Sequence, residues 1–311
     1  MNPGIRIPIA FIDPAIGDLG APPGSMEYLK NERNNFLNAL RSSYPGVNFV
    51  PYDIRDTLDI QVFLNTEGNA AGYLVIALNS AMGFIDPIIR SGKPTVIIAD
   101  AYAGAGEYVL GLSKAMSEGY PVIGIATRDI TSQAALSKVK YLIALARLRS
   151  SKVLFIVSPS LKSHLYWQFG PNTDMYSVLR LIQSITGVTP IMMDANEFRA
   201  RFFDKVSDEE AGKWADRWVK NAEVINDDSM DEIRNSARLY VAMRNAAREL
   251  GVDAIAVDCI VLYNTGLLRA WPCLGYMQLW YDGVMPVCEA DPYAAIPILI
   301  AKYLSTGMAS Q

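Results

Sequence analysis

One histidine, His164, serves the whole chain of 311 residues. That scarcity excludes the zinc arrangements built on two or more imidazoles. In Ser163-His164-Leu165-Tyr166, with no second imidazole to join it, His164 reads as a structural or surface residue. Three cysteines cannot all pair within one chain, so a disulfide framework is not expected and a reducing compartment fits better. No basic block interrupts a net charge of −4, and the electrostatic footprint of a nucleic-acid binder is therefore missing. No apolar run approaches the roughly 18 to 20 residues of a membrane span. The most apolar helix candidate, Ala294 to Leu304, is interrupted by Pro297 and Lys302. Met1-Asn2-Pro3-Gly4 leads straight into an apolar run without a basic and then hydrophobic leader. A cytoplasmic protein with a small-molecule ligand, and neither nucleic acid nor membrane as partner, is the expectation. Gly-Lys-Ser and Gly-Lys-Thr are absent too, which removes the P-loop.

What is present is a regular alternation of strand and helix signals, the pattern of a doubly wound parallel sheet. Strands are expected at Arg6 to Ile12, Val47 to Tyr52, Tyr73 to Ala77, Thr95 to Ala99 and Val122 to Ile125. Helices are expected between them, the first capped by Ser25 and running to about Tyr44 with Leu29, Phe36, Leu37 and Leu40 on one face. A long helix from about Ser132 to Arg149 leads to a new strand at Val153 to Val157, where the order begins again. Asp174 to Thr186 follows as a helix, Pro190 to Met193 as a strand, Ser207 to Leu250 as two helices broken near Asp227-Asp228, and Asp253 to Leu262 as a strand. The expected fold is α/β, with two domains, 1–150 and 151–311, built on mostly parallel sheets flanked by helices.

Two segments carry candidate chemistry. Asp100 to Glu107 holds two glycines between a strand and a helix, where a phosphate can be cradled. The third glycine of the dinucleotide fingerprint is missing and Glu107 opposes an anion at the helix start, so a plain tight turn is the preferred reading. The last quarter of the chain is denser. All three cysteines lie there, at 259, 273 and 288, without a Cys-x-x-Cys knuckle, and read as buried small hydrophobes. Trp271, Tyr276, Trp280 and Tyr281 read as core, with sugar stacking as the alternative. Cys288-Glu289-Ala290-Asp291 follows the apolar run Val284 to Val287 and puts two carboxylates where they could hold a hard divalent cation. Asp291 precedes Pro292 and an apolar helix, so for it a cap and a ligand stand level; Glu289 is the better candidate for a ligand or an acid/base.

Ala256-Val257-Asp258-Cys259, Pro272-Cys273-Leu274-Gly275, Asp282-Gly283 and Cys288-Glu289-Ala290-Asp291 together resemble the L-fucose isomerase and L-arabinose isomerase superfamily, most closely its sugar-isomerase-like members. The resemblance covers about residues 254 to 304. It implies two tandem Rossmann-like domains, a β-rich domain beyond them, and metal-dependent aldose-ketose interconversion, usually with manganese, through an enediol. It also implies that Glu289 or Asp291 is the acidic ligand or base, and that the site forms between subunits of a homo-oligomer or is completed by a second polypeptide. The chain departs from the family's pattern in one place it covers: no carboxylate lies between Asp258 and Asp282, where the other acidic ligand belongs. The family's metal-binding histidine belongs to the further domain, past Gln311. A non-catalytic sugar-binding or assembly subunit is the alternative expectation.

Overall fold

The computed structural model describes residues 4–14, 25–80, 83–158, 174–225 and 229–305, apart from the side chains of 25 and 26. The expectations for the side chain of Ser25, for His164 and for the break at Asp227-Asp228 lie outside the described residues. The chain divides into two compact units, Met1–Arg147 and Leu148–Gln311.

The first unit is a five-stranded parallel sheet in the order β2-β1-β3-β4-β5, with β1 at Arg6–Ile12, β2 at Asn48–Ile54, β3 at Tyr73–Ala77, β4 at Thr95–Asp100 and β5 at Val122–Thr127. β3 and β4 are buried along their whole length, because helices cover both faces of a parallel sheet. Period-two alternation divides β1 between two cores. Ile7, Ile9 and Phe11 pack with Phe36 and Leu40 of α1 (Ser25–Ser43) and with Leu136 and Val139 of α5 (Gln133–Ser150). Ala10 and Ile12 meet the opposite layer, formed by α2 (Thr57–Thr66), α3 (Ile85–Arg90) and α4 (Ala105–Glu118). Asp56 caps α2 by accepting from the amides of Leu58 and Asp59.

The second unit repeats the scheme with four parallel strands in the order β7-β6-β8-β9: β6 Lys152–Val157, β7 Thr189–Asp194, β8 Ala254–Val257 and β9 Met285–Val287. One face carries α6 (Met175–Thr186) and α12 (Pro292–Leu304), packed on Val153, Phe155, Ala254 and Val287. The other carries α7 (Ala195–Arg201), α8 (Asp208–Asn221) and α9 (Met230–Leu250), packed on Leu154, Ile156, Ile255 and Val257. Two short helices complete that layer, α10 (Cys259–Asn264) and α11 (Cys273–Tyr281). The fold is α/β with two tandem domains, and among the described residues no helix is long and apolar enough to cross a membrane.

The strand expected at Asp253 to Leu262 is corrected: β8 stops at Val257 and α10 begins two residues later. A continuous apolar run of that length has no period by which strand and helix can be told apart. In each sheet the first strand of the unit lies inside the sheet, so its two neighbours are reached by connections running in opposite directions. This creates a crevice at the carboxyl ends of β1 and β3 in one unit and of β6 and β8 in the other, the place where open parallel sheets receive ligands.

Candidate functional site

In the second unit the crevice brings Ser158, directly after β6, alongside Asp258, directly after β8. Both side chains are buried. The backbone amide of Asp258 donates to Ile156 O at 3.0 Å, holding the two strand ends together. β9 ends one strand further out, and the Cys288–Ala290 turn carries the chain from it into α12. Glu289 and Ala290 both have positive φ, 57° and 51°, and are the only non-glycine residues to do so among those described. L-residues pay for left-handed backbone, and two in succession at a strand end concentrate strain where open sheets bind ligands.

The two carboxylates of the Cys-Glu-Ala-Asp segment part ways. Asp291 Oδ1 accepts from the amides of Tyr293 at 2.8 Å and Ala294 at 3.2 Å, with Pro292 in the first turn, so Asp291 is the cap of α12. Glu289, half-buried, stands on the strained turn before it. The divalent cation implied by the family resemblance therefore meets a poor donor set. Asp291 already has one oxygen committed to two amides, and no group of three or more His, Cys, Asp or Glu among the described residues is arranged to hold an ion.

The third feature is a thiol cluster. Cys259, Cys273 and Cys288 are close enough to act on one another electrostatically. Burial pushes the Cys259 thiol up to about 11, and partial desolvation together with the Glu289 charge raises Cys288. The expectation of buried packing holds for Cys259 and is corrected for Cys273 and Cys288, which are exposed. These two sit at element ends, the first residue of α11 and the first after β9, where no second layer covers them.

The aromatic expectation divides in the same way. Tyr276 is buried, and its hydroxyl accepts from Val257 N and donates to Val287 O, both at 3.0 Å, tying the carboxyl ends of β8 and β9 together. Burial raises its phenol well above the ordinary range. Trp271, Trp280 and Tyr281 are exposed to 40%, 41% and 61%, which corrects the expectation of core. Trp271 stacks on Tyr263 with centroids 4.4 Å apart. Trp280, Tyr281 and Met277 border an open apolar depression of about 360 Å³ that also touches Cys273 and Pro286.

Other residues of the segment are structural. Asp282 accepts from Tyr240 OH at 2.6 Å and from Gln278 Nε2 at 3.3 Å, anchoring α11 to α9. Burial, followed by that bond to Asp282, raises the Tyr240 phenol. In the first unit, Asp100 to Glu107 is a tight turn: Asp100 Oδ1 accepts from the amides of Tyr102 and Ala103. A Cβ at Gly104 would overlap the Ala77 carbonyl, and Glu107 turns inward to accept from the amides of Gly83 and Ile85. The glycine there serves helix-to-strand packing.

The bridging hydroxyl of Tyr276 left no mark in the sequence, since an aromatic residue in an apolar helix reads as packing. Ser158 is equally silent; only its place after a central strand distinguishes it. No family model matches the chain, and no curated protein matches it.

Proposed function

We propose that this chain is a sugar-isomerase-like protein whose second unit binds a monosaccharide at the carboxyl ends of β8 and β9, with Glu289 as the carboxylate that faces the sugar. The observation that carries this is the pair of left-handed residues, Glu289 and Ala290, at the end of β9. A protein that holds a carboxylate in a costly conformation beside the sheet's ligand-binding crevice has a use for its direction. The Cys-Glu-Ala-Asp resemblance supplies the ligand class. A carboxylate so placed accepts hydrogen bonds from vicinal hydroxyls. In a complete isomerase site it would take the proton from C2 of an open-chain aldose and return it at C1, while the proton of the C2 hydroxyl passes to O1, so that C2 becomes the ketone and C1 the alcohol.

The isolated chain, in this reading, binds sugar without converting it. The specific support is Asp291, whose Oδ1 caps α12 by accepting from two backbone amides. This favours the sugar-binding subunit over the self-sufficient enzyme. Manganese-dependent turnover then requires donors from outside the described residues, brought by a second copy or another polypeptide in the cytoplasm.

Saturation-transfer NMR with a panel of aldopentoses and aldohexoses tests the binding, and a manganese-supplemented ketose assay tests the turnover. Saturable binding of at least one aldose without ketose formation is expected. Failure of every aldose to bind would remove the proposal, whereas robust ketose formation by the purified chain would overturn the subunit reading and leave the enzyme.

A further inference from the structure

The first unit has a crevice of its own that the sugar-binding proposal does not use. A cavity of about 300 Å³ opens where β1 and β2 end beneath the first turns of α1. Its floor is apolar, made by Phe11, Leu29 and Leu78. Its walls are charged: Lys30, Arg33 and Arg55 supply three cations, and Asp13 and Asp53 supply two carboxylates, so the lining carries a net positive charge.

The charges are not equivalent. Arg33 Nε donates to Asp53 Oδ1 at 2.7 Å, and its guanidinium lies 5.1 Å from the centre of the Phe11 ring, so both members of that pair are held in place. Lys30 and Arg55 make no ion pair among the described residues. With three cations to two carboxylates, the lining keeps a net positive charge that attracts an anion, and an arginine prefers one whose oxygens match its planar fork. Asp13 and Asn34 add an acceptor and a mixed donor and acceptor to the same lining, which suits hydroxyl groups. Burial lifts the Asp13 carboxyl above its ordinary range, against the pull of Arg55. The volume lies at the small end for ligand pockets, enough for a five- or six-carbon sugar bearing one phosphate and too little for a dinucleotide.

We propose that this cavity binds the phosphate monoester of a small sugar. Lys30 and Arg55 take the phosphate, Asp13 and Asn34 take hydroxyls, and the apolar floor takes a C–H face of the sugar. The site belongs to the unit that lacks Glu289, and so it stands independently of the site at the end of β9.

Titration calorimetry on the full chain with ribose 5-phosphate, ribose and inorganic phosphate tests it. Ribose 5-phosphate is expected to bind saturably, with ribose and inorganic phosphate each weaker by about tenfold or more, since each offers only half of the contacts. Combined Lys30→Ala and Arg55→Ala substitution is expected to weaken ribose 5-phosphate by at least about tenfold. Both side chains are exposed and outside the core, so the thermal midpoint is expected to hold. Saturable binding that survives the double substitution would place the ligand elsewhere and overturn the assignment. Absence of saturable binding at millimolar ribose 5-phosphate would overturn the proposal itself.

Discussion

Replacing Tyr276 by Phe removes one oxygen atom and disconnects two strand ends. The hydroxyl is buried and serves Val257 N and Val287 O, each at 3.0 Å. Phenylalanine keeps the ring and its packing, so the loss is confined to those two hydrogen bonds. A buried backbone group deprived of its partner costs about 1–3 kcal/mol, and some relaxation between the short β9 and its neighbour is expected, giving a total of about 2–4 kcal/mol. For a unit of this size each kcal/mol moves the midpoint by about 2–4 °C, so a fall of roughly 4–16 °C is expected. All five tryptophans, at positions 167, 214, 218, 271 and 280, belong to the second unit. Urea unfolding followed by tryptophan fluorescence therefore reads the unit in which the change is made. The predicted signature is a lower midpoint with an unchanged slope. A loss below about 0.5 kcal/mol, within the range of an ordinary surface substitution, would refute the claim that this hydroxyl ties β8 to β9.

Further outcomes follow from the same geometry. Gly104→Ala places a methyl group against the Ala77 carbonyl and should cost the first unit about 2–3 kcal/mol, seen in far-ultraviolet circular dichroism while the tryptophan transition stays put; an unaltered dichroism transition would contradict the close approach. Native protein at pH 8 should yield two thiols to a small alkylating reagent, Cys273 and Cys288. Cys259, with its thiol near 11 and only about one molecule in a thousand ionised, should be modified only on unfolding. Three thiols alkylated at similar rates would show that the cluster is open. Glu289→Gly should relieve the left-handed backbone and stabilise the second unit by about 1 kcal/mol, while abolishing sugar binding. A destabilised Glu289→Gly protein would mean that the side chain, and not the ligand, justifies the strain.

The two-unit α/β architecture is legible because a parallel strand covered on both faces reads as an unbroken apolar run: Tyr73–Ala77 and Thr95–Asp100 are buried along their whole length. The same property hides structure when the run is too long. From Ala254 to Leu262 the residues are apolar whether they lie in β8 or in α10, and only the buried Asp258 marks the change. The site was legible as composition more than as geometry. Carboxylates, thiols and aromatics could be counted in the last quarter, but exposure decides their roles and exposure depends on tertiary neighbours. Cys273 and Cys288 are uncovered because they occupy element ends, and Asp291 is a cap because Pro292 starts a helix immediately after it. The left-handed conformation of Glu289 has no signature in a sequence that places neither glycine nor asparagine there.

The proposed role of Glu289 as the sugar-facing carboxylate is tested directly by one paired titration. An aldose that binds the wild-type chain should be titrated into Glu289→Gln, which keeps the size and left-handed backbone of the residue and removes its charge. A loss of affinity of about tenfold or more, with the tryptophan unfolding midpoint unchanged, is the predicted result. Equal affinity in the two proteins would contradict the account.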